Sequence, residues 1–169
     1  MDILLEELTA GMPNGRQFTQ VMIRLIAAIL LGALIGIQRE RAGKPAGFRT
    51  HILVSLGTTV FIVACSSAGM SSGDLSRIVQ GVVTGIGFLG AGAILKLEQQ
   101  KMIKGLTTAA GIWMTAAIGV AVGLGSLGVA IISTVLALIV LAVMGPLEFA
   151  WNKKRKKKAA DASASTSAV

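Results

Sequence analysis

A single cysteine, a single histidine and few charged residues narrow the chemistry open to this 169-residue chain before any motif is considered. Cys65 stands alone in an apolar stretch, which excludes an intrachain disulfide and a cysteine cluster for zinc. With His51 as the only histidine, a Ser-His-Asp site or a histidine-based metal site has almost nothing to draw on. No catalytic residue, metal site or cofactor is expected, and the chain reads as non-enzymatic. Charged residues make up 14% of the sequence, against roughly 25% in an average soluble domain. A soluble domain of this size needs more polar surface than that. The first twenty residues have no basic stretch before an apolar run, and Glu6 and Glu7 interrupt it, so no cleavable signal peptide is expected.

What the chain has in abundance is hydrophobic length. Hydrophobic residues are 53% of the total. Five long apolar windows stand out, at about Phe18–Ile37, Ile52–Gly69, Ile78–Leu95, Leu106–Leu124 and Leu127–Leu147. Each is close to the roughly 20 residues that a helix needs to cross the hydrocarbon core. Their apolar character is continuous rather than alternating, which points to helices and not to barrel strands. The expected fold is an all-α polytopic membrane bundle of about five transmembrane helices. It divides into an amino-terminal segment (1–17), a transmembrane domain (18–147) and a Lys-rich tail (148–169).

Charge in the connections sets the orientation. Arg39, Arg41, Lys44 and Arg49 lie between the first two windows, and Lys96, Lys101 and Lys104 between the third and fourth. Lys153, Lys154, Arg155, Lys156, Lys157 and Lys158 follow the fifth and carry much of the net charge of +8. The alternate connections are acidic or neutral, with Asp2, Glu6 and Glu7 at the start and Gly125-Ser126 before the last window. The positive-inside rule then places the amino terminus outside and the carboxyl terminus inside. A reporter fused after Lys158 should read cytoplasmic, and one at Ser71–Gly73 should read extracytoplasmic. The reverse pair of readings would remove the orientation. Because the basic residues are concentrated in one tail run, nucleic acid is not an expected partner. The run is expected to rest on anionic lipid, and Ala159–Val169 beyond it to be disordered.

The densest motif is GIGFLGAG, Gly85 to Gly92. Its first six residues match the dinucleotide pattern GxGxxG, but that fingerprint needs a strand before it and a soluble β-α-β unit. Inside a membrane span, the reading is close helix packing through small residues. Gly81-Gly85, Gly32-Gly36 and Gly119-Gly123 repeat the spacing. Ala28, Gly32, Gly36 and Glu40 share one face of the first window, as do Thr108, Gly111, Thr115 and Gly119 in the fourth. Such faces either enclose a narrow polar path or form a rigid core whose hydroxyls bond their own backbone. Trp113 falls mid-span and is expected to face the bundle interior, where its N–H needs a partner. Arg24, two turns into the first window, is expected to snorkel outward. Asp74 and Arg77 stand one turn apart before the third window, as a capping pair or as the mouth of a site with Gln80.

Three ordered blocks, LGALIGIQRERAGKPAGFRTHILVSLGT (Leu31–Thr58), DLSRIVQGVVTGIGFLGAGAIL (Asp74–Leu95) and KGLTTAAGIWMTAAIGVAVGLG (Lys104–Gly125), resemble the MgtC/SapB family of bacterial membrane proteins. The resemblance covers nearly all of the membrane portion. It implies a bacterial inner-membrane protein tied to growth in low magnesium and survival inside macrophages, hence to virulence. It also implies effects on the rotary ATP synthase and on phosphate uptake, and members have carried the label of magnesium transport proteins. Longer members have a soluble carboxyl-terminal domain where this sequence shows a Lys-rich tail. The motif residues fall on Gly36, Arg39, Glu40, Gly47, Arg49, Thr50 and His51 in the first block. In the second they fall on Asp74, Arg77, Gln80, Gly85, Gly87, Phe88, Gly90, Ala91 and Gly92. In the third they are Gly105, Leu106, Thr107, Thr108, Ala109, Gly111 and Trp113.

The expected functional groups are therefore three. Asp74, Arg77 and Gln80 form an outer cluster, and Arg39, Glu40, Arg49 and His51 an inner one. Gly85, Gly87, Gly90, Gly92, Thr107, Thr108 and Trp113 form a bundle-core motif. The expected partners are the lipid bilayer, a second copy of the chain as a homo-oligomer (a dimer favoured) and a membrane protein such as ATP synthase. The expected function is regulation of magnesium, phosphate and ATP homeostasis. The alternative is a small transporter or channel for a cation or phosphate.

Overall fold

A computed structural model describes residues 15–97 and 102–143. The tail from Lys153 and the acidic start therefore lie outside the described residues. Five helices run through the described chain: α1 (Gly15–Arg41), α2 (Phe48–Ser67), α3 (Ser72–Gly92), α4 (Leu106–Gly123) and α5 (Leu127–Val143). The first four are long and apolar enough to cross a membrane, and α5 is apolar but shorter in its described part. The all-α membrane bundle expected from the windows is what forms. One detail was not anticipated: β1 (Leu95–Leu97) and β2 (Met102–Lys104) make a two-stranded antiparallel ribbon between α3 and α4, with Leu95 opposite Lys104.

Three helices begin earlier than their hydropathy windows, α1 by a few residues at Gly15 and two others with a polar cap. α2 starts at Phe48 rather than Ile52, because the Glu40 carboxylate accepts the Phe48 N–H at 2.8 Å and satisfies a donor that the helix itself leaves open. α3 starts at Ser72 rather than Ile78. Ser71 and Asp74 form a reciprocal capping box there, each accepting the other's backbone N–H at 3.3 Å. Apolar windows miss such turns because capping residues are polar. The ribbon ends at Gly105, whose φ of 99° is left-handed and which has the Ala93 carbonyl directly over it. Only glycine fits both conditions.

The centre of the bundle is the triangle of α1, α2 and α4. Gly32 and Gly36 bring α1 onto α2 so closely that a Cβ at either would lie 2.7 Å from α2 backbone, at His51 O and Phe48 Cα respectively. Gly119 and Gly123 bring α4 onto α2 as closely, against Ser55, Thr58 and Ile62. Two of the three glycine pairs expected from sequence thus mediate close backbone approach. α5 closes the far side of α1 and α4, where Ala130 joins Ala28, Leu31, Ile35, Ile118 and Val122 in one apolar core. α3 is peripheral and meets α4 mainly through Ile86 and Gly90. Large apolar side chains such as Leu53, Phe88, Leu106 and Ile132 point away from the bundle, as a lipid solvent requires.

Candidate functional site

A buried polar cluster lies where α1, α2 and α4 meet. Residue spacing assembles it. Arg39 shares a face with Leu31, Ile35 and Gly36 in the last turns of α1, and that face is buried. His51, Ser55, Thr58 and Thr59 follow at helical spacing on the buried face of α2. Thr108, Gly111, Thr115 and Gly119 do the same on α4. Arg39 is only 2% exposed and His51 not at all.

Two side-chain bonds tie the helices together. Arg39 Nη2 donates to Thr108 Oγ1 at 3.1 Å. His51 Nδ1 lies 2.7 Å from Thr115 Oγ1, while the Thr115 hydroxyl donates to Gly111 O at 2.9 Å. With its hydrogen committed to that carbonyl, Thr115 accepts from His51, so Nδ1 carries the proton and Nε2 the lone pair. This arrangement is the reverse of an activated nucleophile, in which the imidazole accepts the hydroxyl hydrogen. A third tie runs from Thr59 Oγ1 to Gly119 O at 2.8 Å. Thr58 bonds back to Val54 O and Ser55 O within its own helix.

The cluster is electrically and sterically unusual. Arg39 carries a buried positive charge, and its recorded side-chain partner is a neutral hydroxyl. Arg39 Nε, His51 Nε2, Ser55 Oγ and Gln38 Oε1 are buried without hydrogen-bond partners among the described residues. A buried polar atom left open costs about 1–3 kcal/mol, and more if it is charged. The last turn of α1 offsets part of the Arg39 charge, because a helix carboxyl end is partly negative. Among the described residues no three His, Cys, Asp or Glu side chains come together in a form that could cage a cation.

The structure brings together only part of each expected group. Of the inner cluster, Arg39 and His51 enter the core. Glu40 is exposed and caps α2, and Arg49 is exposed on the first turn of α2. Of the outer cluster, Asp74 is held in its capping box, with the Ser71 hydroxyl donating to its carboxylate at 2.6 Å. Arg77 instead lines a cleft of about 520 Å³ between α2 and α3, with Thr58, Phe61, Gly81 and Gly85. Gln80 is exposed, and its backbone carbonyl accepts from Thr84.

Most of the expected bundle-core motif is corrected within the protomer. Thr108 is buried, and Gly90 faces Ala109 with room to spare, since a Cβ at position 90 would lie an ordinary 3.6 Å from the Ala109 Cβ. Gly85, Gly87 and Gly92 face open space, because α3 lies on the outside of the triangle and presents only one edge to α4. Thr107 is exposed at the start of α4. Trp113 is 48% exposed and faces outward beside Val79, Val82 and Val83 of α3, not into the interior. The interior of α4 is reserved for small and hydroxyl side chains that let α2 approach, and an indole does not fit there. Arg24 does not simply reach for water. Its Nη1 donates to Gly123 O at 2.8 Å, at the carboxyl end of α4. The Ser55, Thr58 and Thr59 face was not singled out from sequence, although hydroxyls at i, i+3 and i+4 in an apolar helix were the available signal.

Comparison with known proteins is consistent with this bundle. The MgtC family model matches residues 25–150. Protein SrpB of Synechococcus elongatus is 42% identical over 83% of this chain and 83% of its own length. YhiD of Escherichia coli K12, whose name provisionally labels it a magnesium transporter, is 44% identical over 77% of this chain and 63% of its own length. Protein MgtC of Salmonella typhimurium LT2 is 44% identical over 69% of this chain and 49% of its own length. The chain thus spans about half the length of MgtC and under two thirds of YhiD. No solved structure matches it significantly. Three motif blocks, several apolar helices of spanning length and the family match agree: this chain is a multi-pass membrane protein of the MgtC family.

Proposed function

We propose that this chain is a non-enzymatic regulator in the bacterial inner membrane, acting on magnesium-linked ion homeostasis through a membrane protein partner rather than by moving ions itself. The observation that carries the reading is the closed interior. Backbone meets backbone at Gly32, Gly36, Gly119 and Gly123, and the hydroxyls of Thr58, Thr59, Thr108 and Thr115 are spent on carbonyls, Arg39 and His51. A cation crossing this interior would also pass the buried Arg39 guanidinium, which repels it in a medium of low dielectric. Phosphate and ATP homeostasis follow as downstream effects, with the rotary ATP synthase as the partner to test first and a homo-oligomer as the working form.

A transporter is the second reading, and the label on YhiD is what favours it. The two separate in liposomes. Purified protein should leave magnesium, potassium and phosphate flux at the level of empty vesicles, while a tagged copy in cells co-purifies with another membrane complex. Saturable flux of any of the three ions would overturn the regulatory reading and establish transport.

A further inference from the structure

A second polar site lies apart from the Arg39 cluster, at the end of the bundle where α1 begins and α2 ends. Gln17, Gln20, Val21 and Arg24 line it from α1, and Val63, Ser66 and Ser67 from α2. The space is about 160 Å³. The larger clefts of the described structure are walled mainly by apolar side chains, whereas five of these seven lining residues are polar or charged.

Arg24 gives the pocket its sign. It stands about 13 Å along α1 from Gly15, at 1.5 Å per residue. Its recorded bond goes from Nη1 to Gly123 O, and its Nη2 lies so close over Gly125 that a Cβ there would be 2.7 Å away. Gly125 has a φ of 81°, so the α4–α5 turn leaves room for the guanidinium where another residue would not. Arg24 is thus braced at one nitrogen. A guanidinium has five N–H donors, and one bond leaves most of them for another acceptor. Among the described residues no carboxylate lines the pocket. What lines it are two amides and two hydroxyls, each able to donate. A fixed guanidinium fork surrounded by neutral donors matches the oxygens of a phosphate group, which it binds through paired hydrogen bonds.

We propose that this pocket binds a phosphate group, held by Arg24 with Gln17, Gln20, Ser66 and Ser67, and that its source is the headgroup of an anionic phospholipid. The pocket lies between two helices of spanning length, and α1 also carries the exposed apolar Phe18 and Met22 over the same turns, so a headgroup held there has apolar helix surface for its acyl chains close by.

The test uses full-length protein, delipidated in detergent and titrated by native mass spectrometry. Phosphatidylglycerol should bind saturably. Diacylglycerol, with the same tails and no phosphate, should not. Arg24→Gln should weaken phosphatidylglycerol by about tenfold or more, the loss expected for a charge-assisted hydrogen bond. Because Arg24→Gln also releases Gly123, a second variant is needed. Gln20→Leu combined with Ser67→Leu leaves the Arg24–Gly123 bond in place and should weaken the lipid comparably at an unchanged melting temperature. If inorganic phosphate binds saturably and displaces the lipid, the same phosphate site serves a soluble anion, and the lipid assignment falls. Unchanged phosphatidylglycerol affinity in the double variant, or equal binding of diacylglycerol, would overturn the site itself.

Discussion

Gly119→Leu should abolish the folded bundle, whereas Gly85→Leu should leave the protomer intact. A Cβ at position 119 would already sit on Thr58 Oγ1 and the Ser55 carbonyl, and a leucine adds three more carbons against α2 backbone. Backbone cannot rotate away as a side chain can. Overpacking of this kind costs about 1–3 kcal/mol and more where neither neighbour yields. At Gly85 nothing lies within 4 Å, so the added side chain meets no atom of its own chain. Fluorescence-detected size-exclusion after a heating series reads both variants. A monodisperse Gly119→Leu protein melting with the wild type would refute the close α2–α4 contact. A Gly85→Leu protein that fails to fold would show that α3 packs more deeply than described.

The second large effect is a separation of stability from function. Arg39→Met should melt at or above the wild-type temperature while losing the ability to support growth in low magnesium. Arg39 is a buried charge bonded to a neutral hydroxyl, with Nε open. Replacing buried charges with apolar side chains of similar volume is often neutral or stabilising, by about 1–4 kcal/mol in measured ion-pair cases. A methionine fills similar length with no charge to desolvate, and the remaining cost is one unbonded acceptor on Thr108. A residue retained against its own stability contribution marks function. The growth test uses a bacterial host deprived of its own family member. Full complementation by Arg39→Met would remove Arg39 from the functional site. A sharp drop in melting temperature would show that a counter-charge outside the described residues holds the guanidinium.

Sequence reading reached the bundle and the partners of its tightest contacts unevenly, and the reasons are physical. Apolar windows located every helix, because lipid demands continuous apolar length whatever the neighbours are. They missed the first turns of α2 and α3, where Glu40 and Asp74 satisfy open N–H groups with polar side chains. Glycine spacing marked close approach at Gly32, Gly36, Gly119 and Gly123. The same spacing at Gly81 and Gly85 has open space within the chain, since spacing names a face but not what covers it. Trp113 failed for a related reason: its polar N–H suggested the interior, but the interior of α4 was already committed to small residues. Arg39 and His51 were legible as charged and rare. Their partners Thr108 and Thr115 could be placed on one face of α4, yet not paired, because pairing depends on the crossing of α1 and α2 over α4.

The two ties that define the polar cluster also set when it can exist. Arg39 and Thr108 are 69 residues apart, and His51 and Thr115 are 64 apart. A ribosome adding 5–20 residues per second takes about 3–14 s to make the longer interval. Throughout that time α1 and α2 are already synthesised and can close on Gly32 and Gly36 by themselves, while Arg39 has no Thr108 to meet. Its place at the last turn of α1 lets the guanidinium wait in the polar headgroup layer instead of entering the hydrocarbon alone. The cluster is therefore completed late in biosynthesis, by the arrival of α4, and a chain arrested before that helix emerges holds an inserted hairpin with its cation still in water.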